Sequence, residues 1–210
     1  MIKVIAFDMW QTLGTYKFNL LEEALKLSGL NMSLEEFIHQ KGKIKIRKDL
    51  DDKGRFVDKI RQLGVTDDSK LQKIEELYID AHESIFLYND ALETLNGLKK
   101  RGKILVIITN VDAYAHNKIM KLFPRELFDF ILASHEIGIK KPDKRIFLKL
   151  IEKFPVRSEE ILMVGDSDEM DIKPAKLLGW KTAFISRNNK KSKYADYNLT
   201  SLRDLLQIAE

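Results

Sequence analysis

The sequence lacks cysteine entirely. This absence excludes disulfide bonds, cysteine nucleophiles and thiolate metal sites, so any bound metal must take oxygen or imidazole ligands. No apolar run approaches the roughly 18 residues that a transmembrane helix needs. The N-terminus begins with a short strand-like segment instead of a basic stretch and a signal core. We therefore expect a cytoplasmic protein with no membrane partner.

A strong excess of one charge is also lacking. The 210 residues include 36 Lys and Arg against 32 Asp and Glu, a formal net charge of +4, and the two signs are interleaved along the chain. This balance does not favour a nucleic-acid partner. Hydrophobic residues make up 44% of the chain and charged residues 32%, a composition typical of a globular protein. The length suits one domain, or a core with a smaller inserted domain.

Short β-branched apolar runs alternate with amphipathic helical stretches along most of the chain. Each run has the character of a buried parallel strand, and the runs are residues 2–7, 103–109, 130–134, 161–165 and 181–185. The helical stretches that precede the later runs are about 90–101, 112–123, 143–154 and 170–178. This alternation predicts an α/β fold, a doubly wound parallel Rossmann-like sheet with helices on both faces.

Residues 15–87 interrupt the alternation with several helical patterns and no convincing strand. The segment Ser33-Leu34-Glu35-Glu36 is a capping box that begins one helix. Another helix is indicated by an apolar stripe of Leu71, Ile74, Leu77, Tyr78, Ala81 and Ile85. We therefore predict a core domain of residues 1–14 and 88–210 with a helical insertion of residues 15–87.

Polar residues cluster where the predicted strands end. They are Asp8, Thr12, Thr109, Asn110, Lys141, Asp166 and Asp171, which follow strands or lie just beyond them. In open α/β sheets, ligands bind beyond the carboxyl ends of the strands, at the point where the strand order reverses. These residues therefore predict one site at that edge of the sheet.

Four segments resemble, in order, the four motifs of the haloacid dehalogenase-like hydrolase superfamily. They are FDMWQTL at 7–13, ITN at 108–110, GIKKPD at 138–143 and VGDSDEMD at 164–171. The helical insertion also resembles the family's cap domain in place and size, so the resemblance covers nearly the whole chain. It implies a hydrolase of a small phosphorylated molecule in which Asp8 attacks the substrate and forms a covalent aspartyl intermediate.

The resemblance also implies roles for individual residues. Asp8, Lys141 and Thr109 would be catalytic, and the substrate-binding positions would be Thr12, Asn110, Trp10 and Gln11. Two carboxylates about 4 Å apart, as expected for Asp8 and Asp166, repel by roughly 4 kcal/mol at an effective dielectric near 20. Mg²⁺ would remove this repulsion, because it prefers hard oxygen ligands. By resemblance, its ligands would be Asp8, Asp166 and the backbone carbonyl of Trp10, with Asp171 orienting Lys141 or the metal's waters.

Trp10 departs from the pattern of the family's phosphatases, which usually carry a second aspartate two residues after the nucleophile. An indole cannot transfer a proton at neutral pH, and a missing general acid–base typically lowers the rate by about 10² to 10⁴. The family's dehalogenases carry an aromatic residue there, because halide departs unaided. The alternative is a structural role, in which Trp10 packs against the cap and helps to close the site.

Three functions stay open at this point. The leading one is a Mg²⁺-dependent phosphatase, because Gly165-Asp166 favours a metal. The second is a metal-free 2-haloacid dehalogenase, whose halogenated acid would be held by a cap arginine such as Arg47, Arg55 or Arg61. The third is a catalytically weak binding or regulatory member of the fold. The four histidines, His39, His82, His116 and His135, show no metal-ligand spacing along the chain and are interpreted as structural or surface residues.

Overall fold

The computed structural model of the protein describes residues 1–44, 52–124 and 126–209. The chain divides into two compact units, one formed by Met1–Thr15 with Phe86–Glu210 and the other by Tyr16–Ile85. These boundaries lie within two residues of the domain limits predicted from the sequence. That the smaller unit acts as a cap stays a prediction. Among the described residues, no helix is long and apolar enough to cross a membrane.

The larger unit is built on a parallel six-stranded sheet, which confirms the α/β fold class. The described strands of the chain are β1 (Val4–Phe7), β2 (Gly14–Thr15), β3 (Phe86–Leu87), β4 (Ile104–Thr109), β5 (Phe130–Ala133), β6 (Ile161–Gly165), β7 (Lys181–Ile185) and β8 (Tyr197–Leu199). The sheet order is β5-β4-β1-β6-β7-β8, and every neighbouring pair is parallel. The chain moves outward from β1 through β4 to β5 and then returns to the other side of β1, so the strand order reverses at β1.

The register of the sheet brings the ends of three strands together. Phe7, the last residue of β1, is paired with Ile107 on one side and with Val164 on the other. All four residues of β1 are buried, as expected for a central strand covered on both faces. The residues that directly follow β1, β4 and β6 therefore share one edge of the sheet.

Three short strands were not predicted from the sequence. The strands β2 and β3 form a separate antiparallel pair, in which Gly14 is opposite Leu87 and Thr15 is opposite Phe86. The strand β8 adds an edge to the main sheet beside β7. Each has only two or three residues, too few for a periodic pattern to distinguish it from a loop. The prediction that residues 15–87 contain no strand is therefore wrong at both ends of that segment.

The smaller unit is helical in its described part. Its helices are α1 (Leu20–Ser28), α2 (Leu34–Lys43), α3 (Asp52–Gln62) and α4 (Asp68–Glu83). The predicted cap at Ser33 is present, because its Oγ accepts a hydrogen bond of 3.1 Å from the backbone N–H of Glu36. The apolar stripe predicted for the last helix falls on α4, where Leu71, Ile74, Tyr78 and Ala81 are buried.

The larger unit adds helices between and after its strands. They are α5 (Ala91–Lys100), α6 (Ala113–Met120), α7 (Ser134–Ile137), α8 (Lys144–Lys153), α9 (Lys173–Leu177) and α10 (Leu205–Ile208). A π-helical turn, Asp168–Ile172, precedes α9, so the predicted helix at 170–178 is only partly α-helical. On one side of the sheet, α8 and the segment after α9 pack against the strands, with the Phe147 and Trp180 rings edge-to-face at 5.7 Å.

Candidate active site

Asp8 lies at the centre of the sheet edge, directly after β1. Its backbone N–H donates to the carbonyl of Val164 in the neighbouring β6 at 2.9 Å, so the main-chain ladder fixes its position. Its side chain is only 8% exposed. A buried carboxylate at this point needs a compensating charge, because burial of an unpaired ion is strongly unfavourable.

Lys141 supplies one such charge from the loop before α8. Its Nζ lies 2.6 Å from Oδ1 of Asp8 and 2.6 Å from Oδ1 of Asp171, and its side chain is 3% exposed. Burial by itself would lower the pKa of Lys141, but the attraction of Asp171 and Asp8 outweighs burial and raises it well above its ordinary value. Lys141 is therefore a permanent cation between two carboxylates.

Asn110 fixes the loop that carries Lys141. Its Oδ1 accepts from the backbone N–H of Lys141 at 2.8 Å, and its Nδ2 donates to the Lys141 carbonyl at 2.9 Å. The sequence interpretation gave Asn110 a substrate-binding role. In the structure its side-chain amide positions Lys141 across 31 residues of chain, a contact that a single sequence does not reveal.

The carboxylate of Asp171 passes close to the main chain of Gly165. A Cβ built on Gly165 would lie 2.5 Å from Cβ, Cγ and Oδ2 of Asp171, which is closer than real Cβ contacts come. Glycine at this position therefore lets the carboxylate pass close to the end of β6. Both oxygens of Asp171 are engaged, Oδ1 by Lys141 at 2.6 Å and Oδ2 by the backbone N–H of Ser167 at 3.2 Å.

Asp166 is the third carboxylate of the cluster and follows β6. Asp8, Asp166 and Asp171 each offer an oxygen within 4.8 Å of the others. Burial, together with the nearby charges of Asp8 and Asp171, raises the pKa of Asp166 to about 7. Three carboxylates thus face one lysine, so the cluster lacks positive charge when all three are ionised.

Two threonine hydroxyls at the same edge are buried without a hydrogen-bond partner among the described residues. They are Oγ1 of Thr12, in the loop after β1, and Oγ1 of Thr109, at the end of β4. Buried hydroxyls are normally paired. Such groups are available to a ligand that brings acceptor oxygens to this edge.

Trp10 and Gln11 lie in the turn that leaves Asp8. Trp10 is half-buried, and a backbone bridge links it to Gly14. Gln11 has φ 57°, a left-handed conformation that costs a non-glycine residue of order 1 kcal/mol. Its side chain is exposed and is held by Thr15 at 2.7 Å and by the Tyr88 hydroxyl at 3.0 Å.

A family profile described as haloacid dehalogenase-like hydrolase matches residues 2–179 of the chain. The protein belongs to this family. This match confirms the resemblance of the four motifs. One residue of each motif belongs to the site at the carboxyl edge of the sheet: Asp8, Thr109, Lys141 and Asp166.

Curated relatives of this hydrolase include two archaeal enzymes with the same name. A glyceraldehyde 3-phosphate phosphatase from Methanocaldococcus jannaschii is 31% identical, with a match that covers 100% of this chain and 98% of the relative. A glyceraldehyde 3-phosphate phosphatase from Pyrococcus furiosus is 36% identical, but that match spans only 57% of this chain and 53% of the relative. A crystal structure of a HAD phosphatase from Thermococcus onnurineus has a TM-score of 0.67 at 26% identity and covers 99% of this chain and 97% of its own.

The donor set of the hydrolase fits a small divalent cation. The three carboxylates are close together, Lys141 is the one cation paired with them among the described residues, and burial with the charges of Asp8 and Asp171 raises the pKa of Asp166 to about 7. Hard oxygen donors in this number are typical of Mg²⁺ sites, which commonly use one or two carboxylates. Asp171 is already engaged by Lys141 and Ser167, so Asp8 and Asp166 are the better placed protein ligands.

Sequence reasoning missed a second ionic network in the hydrolase. Arg187, two residues after β7, makes a bidentate pair with Asp90 at 3.0 Å for each nitrogen, and its Nη2 also donates to the Thr12 carbonyl at 3.2 Å. Its guanidinium lies 3.6 Å from the ring centroid of Tyr88. The network thereby supports the loop after Asp8. Its one sequence signal was the position of Arg187 just beyond the carboxyl end of a strand.

No sequence signal distinguishes Arg47, Arg55 or Arg61, the arginines that could hold the carboxylate of a halogenated acid. Arg55 pairs with Asp52 at 2.9 Å, and Arg61 pairs with Asp68 at 3.4 Å, all within the smaller unit. Arg47 lies outside the described residues.

Proposed function

We propose that this hydrolase is a Mg²⁺-dependent phosphatase that acts on a small phosphorylated molecule through an aspartyl-phosphate intermediate on Asp8. The observation that carries the proposal is the charge imbalance at the carboxyl edge, where two buried carboxylates and the half-buried carboxylate of Asp166 face one lysine. An anionic phosphate can enter such a site only if a cation is bound there too. A dehalogenase that works without a metal would not need this excess of carboxylates beside the nucleophile.

Asp8 is the proposed nucleophile because Lys141 engages only one of its oxygens. Nζ of Lys141 binds Oδ1, and Oδ2 accepts no hydrogen bond from the described residues. In the first step, Oδ2 bonds to phosphorus while the bond from phosphorus to the leaving oxygen breaks. In the second step, water attacks the same phosphorus, which restores the Asp8 carboxylate and releases inorganic phosphate.

Lys141 would neutralise charge on Asp8 and on the transferred phosphoryl group, and Asp171 would hold it in position. Asp8, Asp166 and the Trp10 carbonyl would hold Mg²⁺, which supplies further neutralisation of phosphate charge. The buried hydroxyls of Thr109 and Thr12 would donate to phosphate oxygens, a role that agrees with their lack of partners among the described residues.

Trp10 sets the expected limits on the substrate. With no carboxylic acid at that position, the leaving group must depart without a proton from residue 10. Acyl, aryl and anhydride phosphates leave more readily than alkyl phosphates, so we expect them to react faster. The relatives named for glyceraldehyde 3-phosphate make that alkyl phosphate the first natural compound to test.

A metal-free 2-haloacid dehalogenase is the second candidate, and the aromatic Trp10 favours it. Asp166 opposes it, since a third carboxylate beside the nucleophile would repel a carboxylate substrate. A binding or regulatory protein without turnover is the third candidate, because the missing acid–base also fits a fold that has lost its activity.

One assay distinguishes the three candidates. Glyceraldehyde 3-phosphate, an acyl phosphate, an aryl phosphate and 2-chloropropionate are each offered with Mg²⁺ and with EDTA, beside an Asp8→Asn control. Phosphate release that requires Mg²⁺ and falls by about 10⁴ or more in the control supports the phosphatase. Halide release that persists in EDTA would select the dehalogenase. A lack of activity with every substrate would select the third candidate.

Trp10→Asp tests the account of the leaving group. We expect alkyl-phosphatase activity to rise by about 10²-fold, the lower end of a general acid–base contribution, with little change for acyl phosphates. Trp10→Asn is the matched control, since it makes the same change of size without a titrating proton. Equal gains in both variants would contradict the assignment and favour a packing role for Trp10.

A further inference from the structure

A second group of metal-ligating side chains lies away from the carboxylate cluster, on α6 and α7. Nδ1 of His116 is 3.5 Å from Nε2 of His135 and 3.5 Å from Oε1 of Glu136. Nε2 of His135 is 3.9 Å from the same Oε1. The three atoms therefore form a nearly equilateral triangle, although the two histidines are 19 residues apart in the chain.

The size of this triangle matches a coordination sphere. The point equidistant from the three atoms lies about 2.1 Å from each of them, and Zn²⁺ binds imidazole nitrogen and carboxylate oxygen at roughly 2.0 to 2.2 Å. A shift of a few tenths of an ångström would convert the triangle into one face of a tetrahedron. The fourth position would remain for water.

The side chain of His116 is largely buried, at 14% exposed. Burial lowers the pKa of His116, with the Glu136 charge acting against that change and His135 adding to it. Neutral imidazole is the form that coordinates metals. The side chains of His135 and Glu136 are 22% and 54% exposed, which gives an ion a route from solvent.

We propose that His116, His135 and Glu136 bind a divalent transition metal, with Zn²⁺ the best fit. Two imidazoles and one carboxylate are softer donors than the all-carboxylate group at Asp8. Mg²⁺ strongly prefers oxygen ligands, so the two sites of the hydrolase would select different ions. The proposal does not depend on the reaction at Asp8.

The bound ion would connect α6, which follows the loop after β4, to α7, which follows β5. His116 follows that loop, and His135 follows Ser134, whose Oγ already accepts from the Val111 N–H at 3.0 Å and donates to the Val111 carbonyl at 3.1 Å. Val111 is next to Asn110, which holds Lys141. A metal here would therefore reinforce the segment that positions Lys141.

The test measures Zn²⁺ binding by the full chain in millimolar Mg²⁺, which is added to compete with Zn²⁺ for the carboxylate cluster. After dialysis, elemental analysis should find one Zn²⁺ per chain, and Co²⁺ in its place should give the intense visible bands of a low-symmetry site. His135→Ala and Glu136→Gln should each lower Zn²⁺ affinity by at least about 100-fold, since even outer-shell partners of metals contribute 10- to 100-fold. Zn²⁺ should also raise the Tm of the wild type and not that of His135→Ala.

His39→Ala is the matched control, because His39 is an exposed histidine of the smaller unit. It should bind Zn²⁺ as the wild type does, and so should Asp8→Asn. Thermal unfolding in EDTA establishes that each variant is folded, and Glu136→Gln replaces His135→Ala if the latter does not fold. A wild type that retains no Zn²⁺, or a folded Glu136→Gln variant with unchanged affinity, would overturn the proposal.

Discussion

Two of the ionic networks in the larger unit, those around Lys141 and Arg187, differ in their balance of charge. Around Lys141, three carboxylates share one cation, and burial with carboxylate repulsion raises the pKa of Asp166 to about 7. Around Arg187, a single carboxylate meets one cation. Burial by itself would raise the pKa of Asp90, but hydrogen bonds from Arg187, the Leu202 N–H and Ser201 keep it below its ordinary value.

The contrast distinguishes a group of charges that is unbalanced from one whose charges and hydrogen bonds are completed by the protein itself. Asp90 accepts from Arg187 on both oxygens and from Ser201 and Leu202 at 2.9 Å each, so its acceptors are satisfied by the protein. The Lys141 cluster lacks positive charge, and the neighbouring Thr12 and Thr109 hydroxyls lack partners among the described residues. A charge imbalance of this kind is unfavourable in the free protein and is relieved by ligands, which is typical of functional sites.

The largest effect is expected for Lys141→Met. It removes the cation between Asp8 and Asp171, so we expect phosphate release to fall by about 10³ or more and the metal-free protein to lose about 3 to 5 kcal/mol, as for other broken buried pairs. Urea denaturation in EDTA measures the second quantity. Lys149→Met is the control, because its pair with Glu152 is exposed. A loss no larger than that of the control would show that the cluster tolerates its imbalance without Lys141.

Gly165→Ala is expected to act next most strongly, on activity. The new Cβ would collide with Asp171 at 2.5 Å, so Asp171 and with it Lys141 must move. Misplacement by about 1 Å can lower a rate by 10²-fold, and kcat should fall by about that factor. Gly42→Ala makes the same chemical change at a position where no described residue lies within 4 Å of the new Cβ, and it should leave kcat unchanged. Unaltered kcat in Gly165→Ala would contradict the need for this close approach.

Arg187→Met tests whether the balanced network is structural. We expect a loss of about 2 kcal/mol in the free energy of unfolding, less than for a fully buried pair because the Arg187 side chain is 25% exposed. Because the direct hydrogen bond from Arg187 to the loop after Asp8 is made to the Thr12 carbonyl and to no catalytic group, kcat should fall by no more than about tenfold. Arg145→Met, at an exposed pair, should change stability by less than about 0.5 kcal/mol. A kcat loss as large as that of Gly165→Ala would mean that both networks serve catalysis.

The smallest effect concerns acid stability. Since the pKa of folded Asp90 is below its ordinary value of 3.8, its stabilising contribution is present above that pH and is lost as the pH falls through the folded value. Asp90→Asn should therefore be less stable than the wild type at neutral pH, and the two should converge in acid. Urea midpoints between about pH 7 and pH 3 measure this, and a gap that widens in acid would contradict the direction of the pKa shift.

Much of the core could be predicted from the sequence because its signals are local. The five predicted strands are all present within two residues of their expected ends, since apolar β-branched runs bounded by polar residues are recorded directly in the chain. The short strands Gly14–Thr15, Phe86–Leu87 and Tyr197–Leu199 were not predicted, because pairing with a distant neighbour defines them. The proximity of His116 and His135, interpreted from the sequence as structural or surface residues, could not be predicted for the same reason: spacing along the chain says nothing about the distance between α6 and α7.

The sequence by itself determined which residue types stand at the ends of the strands, and with them the family, the sheet and the cluster around Asp8. Only the tertiary structure decided what each side chain does there: that Asn110 holds the Lys141 backbone, that Gly165 admits Asp171, and that Arg187 supports the loop after Asp8. Those contacts join residues from 6 to 175 positions apart, and their energies depend on distance and burial in space, which a linear order does not contain.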